Sequence, residues 1–135
     1  MKQYLLLIAL SLSAFFAACN KSDSETTPND TESSQYFVKY SGKVMTNHII
    51  HLTYTYLNEK GFNSSYSSYS NTESNFATII GPVKKGYNAS VKCQYDQPIH
   101  ITVRSQQVTI EVCKEGEPFT VRAVGSKNAS YTIDF

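Results

Sequence analysis

The residues that could carry out acid–base or metal chemistry are few and scattered. His48 and His51 are three residues apart, a spacing that places side chains on opposite faces of a β-strand. No third ligand follows from the position of His100, so no zinc site is expected and the histidines are interpreted as surface residues. The acidic residues of the last hundred positions lie mostly in turns, and they are Glu59, Glu73, Asp96, Glu111, Glu115, Glu117 and Asp134.

The motifs that identify several large enzyme classes are absent from the sequence. There is no GxSxG elbow, no Walker loop and no GxGxxG. A glycosidase needs two carboxylates held across a cleft, and the sequence does not place any two of its carboxylates in that way. We therefore expect a non-enzymatic protein without a metal or cofactor, with a small hydrolase as the less favoured alternative.

The N-terminus has the layout of an export signal. Lys2 gives a short positive region, residues 4–18 form an uncharged apolar run, and two small residues precede Cys19. The run is shorter than the roughly 20 apolar residues that cross a bilayer. Residues 1–18 are therefore interpreted as a cleaved signal peptide, and an uncleaved anchor helix is the alternative.

The sequence FAAC at 16–19 resembles a bacterial lipobox, in which the cysteine becomes the lipidated first residue of the mature chain. The resemblance implies that Cys19 carries three acyl chains. One acyl chain anchors a protein only marginally, and three hold it on the membrane essentially permanently. The following CNKSDSE resembles the export signals of Bacteroidota-type surface lipoproteins, which implies display on the outer leaflet; otherwise these residues simply begin a solvated tether.

Residues 19–35 are expected to form a disordered, acidic tether. After Cys19 this segment contains no large apolar side chain, and one lysine against four acids gives a charge of −3. Such a segment cannot bury enough surface to offset the entropy lost on ordering.

Residues 36–135 have the size of one domain. Ten basic against seven acidic residues give +3, too little to suggest a nucleic acid partner. Apolar and polar residues alternate here, as in half-buried strands, and turn signals separate the alternating segments. The segments predict seven or eight short strands in an all-β, antiparallel β-sandwich. The apolar sets are Tyr36, Val38 and Tyr40; Ile50, Leu52, Tyr54 and Tyr56; residues 76–80; Tyr87, Ala89, Val91, Cys93 and Tyr95; Ile99, Ile101 and Val103; Val108, Ile110 and Val112; Phe119, Val121 and Ala123; and Tyr131, Ile133 and Phe135.

Four motifs occur in a characteristic order over residues 37–125: VKYSG, LTYTYLNEKG, GPVKKGYNASVKC and VTIEVCKEGEPFTVRA. In this order they resemble the small single-sandwich lipoproteins of Bacteroidota. More remotely they resemble the mycobacterial small membrane proteins that accompany lipid transporters. The resemblance implies an Ig-like sandwich and raises the alternative of an accessory subunit in an envelope transport complex.

Cys93 and Cys113 form an even pair once Cys19 is used for lipid, and an exported protein meets an oxidising environment. Cys93 lies on the apolar face of its strand. Continuing the alternation of residues 108–112 places Cys113 on the polar face of its strand. A bulge before KEGEP would turn Cys113 inward. The sequence therefore leaves open whether the two cysteines form a disulfide.

The segment GFNSSYSSYSNTES, residues 61–74, has the composition of a binding loop. Phe62, Tyr66 and Tyr69 lie among serines and asparagines, which resembles the aromatic and polar composition of antibody paratopes. With its neighbours the segment makes a connection longer than most. Two interpretations remain open: a ligand-binding loop for a glycan or protein, or a plain connection that includes an extra polar edge strand.

These observations together favour a lipid-anchored envelope protein at the outer membrane, displayed on the cell surface. Its expected role is that of a non-enzymatic binding or accessory module. A periplasm-facing subunit of an envelope transport complex is the alternative.

Overall fold

The alternating segments of the sequence become antiparallel strands in the computed structural model, which describes residues 34–96 and 102–135. Within these residues no helix is long and apolar enough to cross a membrane. The described strands are β1 (Tyr36–Thr46), β2 (Ile50–Leu57), β3 (Asn63–Ser70), β4 (Glu73–Val83), β5 (Asn88–Tyr95), β6 (Val103–Lys114), β7 (Thr120–Gly125) and β8 (Asn128–Thr132).

Two four-stranded antiparallel sheets form the sandwich that the sequence predicts. The first sheet has the order β4-β1-β6-β7 and the second has the order β3-β2-β5-β8. Strands β1 to β5 pair as strands B, C, C′, E and F pair in immunoglobulin variable domains. Strands β6 and β8 take the positions of strands A and G beside them, and β7 extends the first sheet. The predicted all-β sandwich is confirmed.

The core fills the space between the inner faces of the sheets. Strand β1 buries every second residue, and Val38 and Tyr40 are fully enclosed. Tyr54 of the second sheet stacks on Phe76 of the first, with ring centroids 4.6 Å apart. Gly42 is also on the inner phase of β1, and a Cβ there would overlap the Tyr54 ring. The absence of a side chain at this position is what allows the large ring to pack against the backbone of the opposite sheet.

A bulge in the pairing of β6 and β7 puts Val121 on a different face from the one the sequence predicts. The sequence places Val121 and Ala123 on the same inner face, but Val121 is 52% exposed. The register between β6 and β7 shifts between Ile110 and Glu111, so that Ile110 is opposite Ala123 and Glu111 is opposite Val121. One extra residue in a strand reverses the alternation beyond it. The shared face predicted for these two residues is therefore wrong.

One predicted strand extends beyond what the structure describes. The sequence places Ile99, Ile101 and Val103 on one face of a strand, but residues 97–101 lie outside the described residues. Strand β6 begins at Val103 and continues without a break to Lys114. The predicted segments at Val103 and at 108–112 therefore belong to one strand.

Candidate functional site

Most of the segment that the sequence identifies as a candidate binding loop is a strand. Strand β3 pairs with β2 over its whole length in a continuous register, from Leu57 opposite Asn63 to Ile50 opposite Ser70. Strand β3 also forms one edge of the second sheet. The extra polar edge strand, which the sequence leaves open, is the interpretation that the structure supports. Tyr66 and Tyr69 of this segment are thus held on a sheet.

A tight turn connects β2 to β3 and exposes Phe62. The side-chain oxygen of Asn58 accepts hydrogen bonds from the backbone N–H groups of Lys60 and Phe62, each at 3.0 Å. Gly61 has φ of +79°, a conformation that favours glycine. Phe62 leaves the turn with 68% of its surface exposed.

The turn of this hairpin is held by Tyr87, which lies just before β5. The hydroxyl oxygen of Tyr87 lies 3.0 Å from the carbonyl oxygen of Leu57 and 2.7 Å from that of Asn58, and it can donate to either. Burial raises the pKa of the Tyr87 phenol, which keeps it protonated as a donor. The hairpin is therefore fixed to the core at the point where β2 ends.

Tyr66 faces the inside of the sandwich at its open edge. It is opposite Tyr54 in the register of β2 and β3, and opposite residues share a face. Its ring stacks on that of Phe76 with a centroid distance of 5.4 Å. Even so, 47% of Tyr66 is exposed, because β3 is the last strand of its sheet.

Tyr69 faces outward, on the opposite side of the same strand. It is opposite His51, and the two ring centroids are 4.9 Å apart. Tyr69 is 77% exposed, although its backbone is part of a paired strand. The sequence groups Tyr66 and Tyr69 into one contact loop, but residues three apart on a strand lie on opposite faces. The structure therefore separates them.

Polar groups surround Tyr69 on the outer face of the second sheet. The Nδ1 atom of His51 lies 3.4 Å from Oδ2 of Asp96, and the hydroxyl groups of Thr53 and Ser67 are hydrogen-bonded at 3.0 Å. Together the side chains of His51, Thr53, Ser67, Tyr69 and Asp96 are called the Tyr69 face below. It presents one exposed ring beside hydroxyl, imidazole and carboxylate groups.

Sequence reasoning did not identify His51, Thr53 and Asp96 as neighbours of Tyr69. The alternation of β2 does place His51 and Thr53 on its polar side. Their contact with Tyr69 and Ser67 depends on the register between β2 and β3, which a single sequence does not reveal.

The two cysteines of the sandwich are free thiols, so the disulfide that the sequence leaves open is absent. Cys93 faces the core and is paired with Tyr54 of β2. Cys113 is paired with Phe37 of β1, and it lies on the other face of β6 from the inward-facing Val112. No bulge turns Cys113 inward, because β1 and β6 keep a continuous register from Tyr36 to Met45. Burial raises the pKa of both thiols.

The remaining predicted site lies at the N-terminus. Cys19, the predicted lipidation site, is outside the described residues. In the part of the chain that the structure describes, no three His, Cys, Asp or Glu side chains are grouped closely enough to hold a metal ion.

Comparisons of the chain with family models, with curated proteins and with solved structures find no match. Function is therefore inferred from the side chains of the Tyr69 face and from the N-terminal sequence.

Proposed function

We propose that this protein is a lipid-anchored, non-enzymatic binding module displayed at the outer membrane, and that the Tyr69 face contacts its ligand. The N-terminal sequence supports the anchor, because FAAC at 16–19 resembles a lipobox and the residues after it resemble a surface-export signal. The single observation that carries the binding role is the 77% exposure of Tyr69 on a paired strand.

The Tyr69 ring is suited to binding because it is already ordered. Its backbone is fixed by pairing with β2, and its ring lies against that of His51. A ring held in one position loses little side-chain entropy when a ligand binds. Tyrosine also combines a large apolar face with a hydroxyl group, which suits it to contacts with partly polar ligands.

The ligand class that best fits this chemistry is a neutral polysaccharide. The exposed ring can stack on the apolar face of a sugar, and the hydroxyls of Thr53 and Ser67 and the carboxylate of Asp96 can bind sugar hydroxyl groups. The face lies on a sheet and not in a cleft, so it suits an extended chain better than an enclosed small molecule.

The binding role can be tested on intact cells that express the full chain, using a panel of fluorescent neutral polysaccharides. Tyr69→Ala should abolish most of the binding, whereas Tyr69→Phe should keep most of it because the ring remains. Phe62→Ala is the matched control, because it removes a ring of similar exposure from the turn at the other end of β3. Equal binding by Tyr69→Ala and the unmodified chain would contradict the proposal, and capture of a protein instead would contradict the ligand class.

Protease treatment of intact cells distinguishes display from the periplasm-facing alternative. A displayed domain should be removed from the cells, while a marker protein of the periplasm remains intact. Survival of the domain would favour the accessory subunit of an envelope transport complex, to which the motif order at 37–125 bears a remote resemblance.

A further inference from the structure

In the part of the chain that the structure describes, the outer edge of β3 is unpaired and lacks the charges, proline, bulge and short length that normally keep edge strands from pairing. The strand has eight residues, NSSYSSYS, without a charge or a proline. Its pairing with β2 has no bulge, and most of its residues are exposed. Edge strands of monomeric proteins are usually short, charged, bulged or interrupted by proline, because their unpaired N–H and C=O groups otherwise bind another strand.

The other sheet edges of the described chain do carry such devices. Strand β4 contains Glu73 and Pro82, and its pairing with β1 has an irregularity near one end. Strand β7 contains Arg122, which is the extra residue of a bulge in the pairing of β7 with β6. Strand β8 has only five residues. Among the described strands, the edge at β3 is thus the one suited to pairing.

We infer that β3 pairs antiparallel with β3 of a second copy of this chain, which joins the two second sheets into one eight-stranded sheet. The sequence around Tyr66 is a palindrome, Ser-Ser-Tyr-Ser-Ser over 64–68. A two-fold axis at Tyr66 therefore places serine opposite serine on both sides of the axis, as an isologous contact requires. The absence of charge means that identical strands meet without repulsion between like charges.

The alternation of side chains along β3 is compatible with this register. A two-fold axis perpendicular to the sheet keeps the inner faces of the two joined sheets on the same side. Residues that lie opposite each other must therefore point to the same face of their strands. Centring the axis on Tyr66 places the Tyr66 rings of the two copies directly opposite, and aromatic pairs are among the stabilising cross-strand pairs. Both Tyr69 rings then remain free on the outer side, so the pairing does not depend on the proposed function.

Disulfide trapping of the full chain in cells tests this pairing. Directly opposite residues of antiparallel strands have Cα atoms about 4.5–5.5 Å apart, within the range that a disulfide spans. Tyr66→Cys should therefore give a dimer on oxidation, visible on non-reducing gels and lost with reductant. The unmodified chain gives the baseline, because Cys93 and Cys113 are buried. Ser130→Cys, exposed on the opposite edge of the same sheet, is the matched control and should give no dimer.

A second set of variants keeps Tyr66 in place. Ser65 lies opposite Ser67 of the second copy, so co-expressed chains carrying Ser65→Cys and Ser67→Cys should form a mixed dimer that neither forms alone. Adding Ser67→Lys to Tyr66→Cys should lower the dimer yield several-fold, because lysine on an edge opposes pairing.

Three results would overturn the inference. The first is the absence of a dimer with both Tyr66→Cys and the mixed pair. The second is equal cross-linking by Ser130→Cys, which would indicate random collision. The third is cross-linking of Tyr66→Cys to a different protein in place of a second copy.

Discussion

Cys93 and Cys113 are both buried, but different parts of the sandwich cover them. Cys93 lies in the core, where its strand position is opposite Tyr54, and Cys113 lies on the other phase of β6, opposite Phe37. Burial disfavours the charged thiolate and so raises both pKa values. Because the thiolate is the reactive form, both thiols should be unreactive in the folded protein.

Thiol titration tests this arrangement. In the full chain with Cys19→Ala, a thiol reagent at about pH 8, near the pKa of a free cysteine, should react slowly. The raised pKa values leave less thiolate at that pH, and the side chains are inaccessible. After unfolding in denaturant without reductant, two thiols should react. Finding none at that stage would show that Cys93 and Cys113 form a disulfide, contrary to the structure.

The β2–β3 hairpin carries both Tyr66 and Tyr69, so its attachment to the core determines how rigidly they are presented. The Tyr87 hydroxyl bonds to backbone carbonyl oxygens at the end of β2. Asn58 then organises the turn that follows. The element that presents the Tyr69 face is therefore tied to the sandwich at a defined point.

Replacing Tyr87 with phenylalanine should weaken this attachment. The ring remains, but the hydroxyl donor is lost, which should lower the free energy of unfolding by about 1–2 kcal/mol. Urea unfolding should show a lower midpoint with an unchanged slope. Tyr131→Phe is the matched control, because its hydroxyl bonds to exposed Asp134, and it should change stability by less than about 0.5 kcal/mol. Equal effects of the two substitutions would contradict the role of Tyr87.

The strands that can be predicted from the sequence are those in which apolar and polar residues alternate clearly. Strands such as β5 are evident, because apolar residues occupy every second position and the alternate residues are polar. Strand β3 has no such pattern, because serines occur on both of its faces. The sequence therefore leaves open whether residues 61–74 form a binding loop or include an edge strand. The exposed position of Val121 could not be predicted, because it depends on a bulge in the pairing of two strands.

The candidate site can also be predicted only in part from the sequence. Sequence composition identifies Phe62, Tyr66 and Tyr69 as the aromatic residues of a candidate binding loop, and the structure places all three at the surface. The composition does not show which of the three residues share a face of the sheet. The ring of Tyr69 lies against His51 because of the register between β2 and β3, and Asp96 after β5 lies beside His51 in turn. These contacts are properties of the folded sheet.

The N-terminal segment and the sandwich have different roles in the proposed function. The N-terminal sequence predicts a lipid anchor and a tether, and the sandwich presents the Tyr69 face on one side of its second sheet. Three acyl chains hold a protein on a membrane far more tightly than one, at about 0.8 kcal/mol for each buried methylene group. The proposed display of the binding face therefore depends on one covalent modification at Cys19.

Membrane fractionation of cells labelled with a radioactive fatty acid tests that modification most directly. The unmodified chain and the control Cys113→Ala, which alters a buried cysteine of the sandwich, should both be labelled and sediment with the membranes. Cys19→Ala should be unlabelled and remain in the soluble fraction. A Cys19→Ala chain that stays with the membranes, or an unmodified chain that takes up no label, would contradict the account.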